Sequence, residues 1–81
     1  MGQQVKGILK NNFAGMEVVL DTLPDQKITG RVVWEGFTGH DHVARQQMVR
    51  QALRDALGAE AQLVGILLTY TPREMNAMRA A

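Results

Sequence analysis

The sequence predicts an α+β fold: an α-β-β-α-β-α two-layer sandwich whose three-stranded mixed sheet carries helices packed on one face. Three observations lead there. Helix-period and strand-period apolar patterns alternate along the chain in that order. The first two strand patterns flank a Pro24-Asp25 turn, the mark of a hairpin. The third follows a long helix, and a helical crossover sets the returning strand parallel to its neighbour. At 81 residues the chain is expected to be a single domain, 1–81, with one small core.

The elements follow in order. Val5, Ile8, Leu9 and Phe13 keep helical spacing among polar residues, which predicts a short amphipathic helix over 3–13, weakened by Gly7 and ended by Ala14-Gly15. Met16 to Leu20 reads as a strand, and Lys27 to Trp34 as its return, with Ile28, Val32 and Trp34 on one face. Gly36 and Gly39 break that strand. Asp41 is the expected N-cap of the longest helix, roughly 42–57. Its inward stripe is Arg45 (by its stem), Val49, Ala52, Leu53, Ala56 and Leu57, with Gly58 as the C-terminal stop. Leu63 to Tyr70 is dense in aliphatics, as a central strand covered on both faces would be. Thr71-Pro72-Arg73-Glu74 is a capping box with proline in the first turn, opening a last helix over 72–79 that turns Met75 and Met78 inward.

Composition narrows the function. There is no cysteine and no serine, so thiol and serine nucleophiles, zinc ribbons and cysteine-ligated clusters are excluded. No phosphate-binding or dinucleotide-binding glycine loop occurs, and the chain is expected not to be an enzyme. Nine Lys/Arg against eight Asp/Glu leave a net charge of +1, far from that of a nucleic-acid coating protein. No leader or membrane-spanning run is read in the sequence, and the cysteine-free composition suits a reducing cytoplasm, the expected location.

Specific letters then come into view. Phe37-x-Gly39, Val43-x-Arg45-Gln46-Gln47-x-Val49, Leu53 and Thr69-Tyr70-Thr71-Pro72-x-Glu74 resemble the BolA family. The likeness runs from about Val5 to Met75, and its Gln46-Gln47 pair is closest to the acid-stress branch. Most of that branch closes the last motif with Glu-Trp, where this chain has Glu74-Met75. The resemblance implies a KH-like class II fold, partnership with a monothiol glutaredoxin around a shared iron–sulfur cluster, stress-linked regulation, and DNA binding in some members. It also implies two cluster ligands: a His before the last strand, and a His or Cys in the first hairpin. These positions fall on Leu63 and Lys27. Leucine has no donor atom, and a solvated lysine ammonium must first be deprotonated, at considerable cost. The fold is therefore carried over and the cofactor is not. No cofactor is expected, and the partner contacts implied by the family map to Arg45, Leu63, Met75 and Met78.

Other features weigh less. His40-Asp41-His42 is the one cluster of ligand-type side chains, yet residues two apart on a helix do not face each other, so His40 and His42 are weak metal candidates. Gly36-Phe37-Thr38-Gly39 has the form of a KH backbone clamp, but its Phe37 suits the core better. Lys10, Arg45, Arg50 and Arg54, with Lys6 alongside, could form a basic face for DNA or RNA, the alternative function. Met48, Met75 and Met78 suit core filling or an adaptable protein contact.

Overall fold

In the computed structural model, which describes residues 1–80, six principal elements follow one another: α1 (Gly2–Asn12), β1 (Glu17–Thr22), β2 (Ile28–Val33), α2 (His42–Leu57), β3 (Val64–Tyr70) and α3 (Pro72–Ala80). Short 3-10 turns at Glu35–Phe37 and Gly58–Leu63 lead into and out of α2. The α+β class, the element order and the mixed sheet are those expected. β1 pairs antiparallel with β2, and β2 pairs parallel with β3.

Local chemistry fixes the boundaries. Asp41 caps α2 by accepting the Ala44 backbone N–H at 2.8 Å, and Gly58 ends it at φ +59, a left-handed conformation that glycine adopts freely. The capping box of α3 closes in both directions: the Glu74 N–H donates to Thr71 Oγ1 at 3.1 Å, and the Thr71 N–H donates to Glu74 Oε1 at 2.8 Å. In the hairpin turn, the Lys27 N–H donates to the Asp25 carboxylate and the Leu23 N–H to the Lys27 carbonyl.

The core lies between one face of the sheet and the pair α1 and α2. Val5 and Leu9 of α1 and Val49 and Leu53 of α2 meet Val18, Ile28, Val32 and Leu67 of the sheet, with Phe37 buried beneath the loop that opens α2. Trp34 closes one end. It stacks edge-on against Phe13 at 5.0 Å and Phe37 at 5.3 Å, and its indole N–H donates to the Ala14 carbonyl at 2.9 Å.

Five details of the expected packing are corrected. The strand order is β1-β2-β3, so β2 is central and β3 is an edge strand. The opposite sheet face is open, leaving Ile66 69% and Leu68 49% exposed, so β3 is not covered on both sides. A bulge also lies within β3: Ile28 pairs with Val64 but Gly30 pairs with Leu67. One extra residue thus leaves Gly65 and Ile66 both outward before alternation resumes. Ala56 is exposed, one step past the buried stripe of α2, and Met78 is 55% exposed rather than inward, while Met75 is buried as expected. Arg45 is buried over its whole length, not by its stem alone.

Candidate partner-binding surface

Arg45 organises the end of the molecule where β2 and β3 finish. Its Nε donates to the His40 carbonyl at 2.8 Å and its Nη1 reaches the Thr69 carbonyl at 3.4 Å. Nη1 and Nη2 grip the two carboxylate oxygens of Glu74 at 2.7 and 3.1 Å, a fork-on-fork pair. The guanidinium carbon also lies 5.7 Å from the centre of the Phe37 ring. The Arg45 hydrogen bond, followed by that from the Thr71 N–H, holds the Glu74 carboxyl down to about 2, against an ordinary 4.5. Arg45 therefore ties α2, β3 and α3 together and is not a free surface cation. This corrects its expected place on both the partner face and the basic face.

The neighbouring Gln46 has a similar role. Its side-chain N–H₂ donates to the Leu67 carbonyl at 2.7 Å. The Tyr70 carbonyl, one parity apart, accepts from the Trp34 N–H on the β2 side, so the Leu67 and Thr69 carbonyls face the free edge. Gln46 and Arg45 occupy both. Two adjacent motif residues thus close the edge of β3 against a further strand. Sequence reasoning missed this pairing; the one signal for it was an arginine on an otherwise apolar helix stripe.

Lys27 and Leu63 come together at the other end. Because β2 and β3 are parallel and Ile28 pairs with Val64, the residues just before them are neighbours at one end of the strand pair. Lys27 is exposed in the hairpin turn, and Leu63 is 39% exposed at the close of the 3-10 turn. The positions to which the family resemblance assigns cluster ligands do converge, therefore, but the side chains there are an aliphatic group and an ammonium. This donor set does not fit an iron–sulfur cluster.

His40 and His42 lie at the opposite end, in the loop after β2 and at the start of α2, separated from Leu63 by the length of β3. That strand has seven residues, about 20 Å at ~3.3 Å each. Among the described residues no group of three or more His, Asp or Glu side chains gathers into a metal-binding cluster. The four expected partner residues are likewise divided. Leu63 belongs to the β2–β3 start, Met78 is exposed on α3 at the far end, and Arg45 and Met75 are buried. Lys10, Arg50 and Arg54 are all exposed, on α1 and α2.

The Gly36-x-x-Gly39 loop has a packing explanation. A Cβ on Gly36 would run into the indole of Trp34, and Phe37 is fully buried. The glycine makes room for an aromatic ring, and the loop joins a strand to a helix rather than two helices.

An α-β-β-α-β-α order on an open three-stranded mixed sheet, with two helices over one face, defines a class of small α+β proteins. No sequence-family model matches this chain, and no curated protein matches it by sequence. Solved structures do match. BolA1 from Arabidopsis thaliana superposes with a TM-score of 0.74 at 22% identity, over 89% of this chain and 92% of that one. A bol-like protein from Babesia bovis superposes with a TM-score of 0.65 at 19% identity, over 98% of this chain and 93% of its own. At these identities the likeness establishes the fold: the chain has the fold of BolA proteins. Among the described residues, no helix is long and apolar enough to cross a membrane.

Proposed function

We propose that the chain is a BolA-family protein that works by protein contact: a non-enzymatic, stress- or redox-linked adaptor or regulator in the cytoplasm. Its partner in this reading is a monothiol glutaredoxin, bound without the family's usual iron–sulfur ligation. The observation that carries the reading is the meeting of Lys27 and Leu63 at one end of the parallel strand pair. A partner docking there meets an exposed aliphatic side chain beside a cation, which favours contact and offers no ligand to iron. The BolA fold and the motif letters around Arg45 and Thr69–Glu74 support the family assignment. The nucleic-acid alternative is weaker, because Arg45, one of its four cations, is held by Glu74.

Calorimetric titration of cluster-free monothiol glutaredoxin with the purified chain tests the reading. Saturable binding is expected, weakened at least about tenfold by Leu63→Asp, a change at an exposed position that leaves the core intact. No heat and no complex with any monothiol glutaredoxin would remove the reading. Salt-dependent binding to duplex DNA, lost in Arg50→Glu, would replace it with the alternative.

A further inference from the structure

The sheet face turned away from α1 and α2 carries apolar side chains that the chain itself does not cover. Ile66 is 69%, Leu68 49% and Val19 38% exposed there. With Asp21, Thr29 and Arg31 they line a shallow depression of about 350 Å³. The strand register sets them in rows across the sheet. Val19, Arg31 and Leu68 share one row, and Asp21 and Thr29 share the next, beside Ile66. Among the described residues the one ion pair joins Arg45 to Glu74, so Arg31 and Asp21 are unpaired within the chain. The Arg31 Nε is buried and has no hydrogen-bond partner among them.

The face is thus apolar on both flanks and carries one unpaired charge of each sign. We propose that it docks a second copy of this chain, sheet on sheet, about a two-fold axis running across the strands between the two rows. That axis exchanges the rows. It lays Leu68 of each copy over Ile66 of the other and brings each Arg31 beside the other copy's Asp21. An axis along the strands would instead stack Arg31 on Arg31, which like charges oppose. Stacked sheets lie ~10 Å apart, a gap that an arginine and an aspartate side chain span together. A foreign partner would need both charges at this spacing, whereas a second copy supplies them by symmetry. The net charge of +1 opposes the association only slightly. A three-stranded face offers on the order of a few hundred Å² per copy, below the ~800 Å² per partner of a standard interface, so the dimer is a weak one. None of these residues is Lys27 or Leu63, so the proposal goes beyond the glutaredoxin reading and stands or falls apart from it.

Sedimentation equilibrium of the full chain, from about 10 μM to about 1 mM, is the test. A monomer–dimer equilibrium is expected, with a dissociation constant between about 20 and 500 μM, weakened at least about tenfold by Ile66→Lys. Arg31→Glu and Asp21→Arg should each be monomeric alone. An equimolar mixture of the two should form a heterodimer, because each variant supplies at both contacts the charge that the other lacks. Amide resonances of the wild type should shift with concentration at Val19, Arg31, Ile66 and Leu68, a readout that holds even if Arg31→Glu does not fold. A wild type that stays monomeric at about 1 mM would overturn the proposal. So would a monomeric mixture of the two folded charge variants, as an ion pair confined to one chain would give, or a dimer whose shifts map to another surface. Monomeric wild type that loses glutaredoxin binding through Ile66→Lys would also overturn it and give the face to that partner.

Discussion

Arg45 is the residue on which the polar interior converges. It satisfies the carbonyls of His40 and Thr69, and it meets Glu74 through both carboxylate oxygens. Arg45→Ala should orphan those two carbonyls and lower stability by about 1–3 kcal/mol, measured by urea unfolding at neutral pH. The ion pair has a pH signature. Glu74 titrates at about 2 in the fold against an ordinary 4.5, so the unfolded chain binds its proton first as pH falls. The stabilisation is full above pH 4.5 and disappears as pH falls toward 2. The stability gap between the wild type and Glu74→Gln should therefore close over that window; a gap independent of pH would refute the pairing. Half of this was legible in the sequence. Thr71-Pro72-Arg73-Glu74 announced its capping box because such boxes are local, whereas the grip of Arg45 on Glu74 spans 29 positions and no spacing rule reports it.

The elements themselves were readable because caps and periodicity are local signals. Asp41 and Gly58 bracket α2 at the expected positions, and the hairpin turns where Pro24-Asp25 said it would. The bulge in β3 was not readable. It is a property of the pairing with β2, and the extra residue accounts for Val64 and Leu67, three positions apart, both facing the core. Thermal unfolding separates the exposed Ile66 from the buried Leu67: Ile66→Lys should change stability by no more than about 0.5 kcal/mol, and Leu67→Ala should cost about 2–5 kcal/mol. Gly30 belongs to the same scale. Opposite Leu20 at φ +155, it leaves no room for a Cβ, which would collide with the Val19 carbonyl. Gly30→Ala should therefore disrupt the β1–β2 ladder. Loss of amide-exchange protection across Val18–Leu20 is the measurement, and unchanged protection would count against the register described.

At the scale of the whole molecule, the two ends of the β2–β3 pair differ in character. The end built around Arg45, Trp34 and Phe37 is filled, and the Arg45, Glu74 and Trp34 side chains are hydrogen-bonded there, while the buried Thr69 hydroxyl has no partner. Lys27 and Leu63, at the other end, are exposed. Motif letters in the sequence led to the fold, since they sit mainly where α2, β3 and α3 lock together. They also led to positions 27 and 63, but the adjacency of those positions needed the parallel pairing. The expected partner residues did not survive as one patch for the same reason: helix and strand ends that are distant in space are both simply neighbours of a motif in sequence.

In the proposed function the chain meets its partner as a BolA protein but gives no ligand to a cluster. Iron–sulfur reconstitution of a monothiol glutaredoxin, alone and with an equimolar amount of the chain, followed by visible circular dichroism of the co-eluting complex, tests it most directly. A heterodimer whose visible spectrum is that of the glutaredoxin alone is expected. A heterodimer with a new cluster spectrum and histidine ligation, or no heterodimer at all, would contradict it.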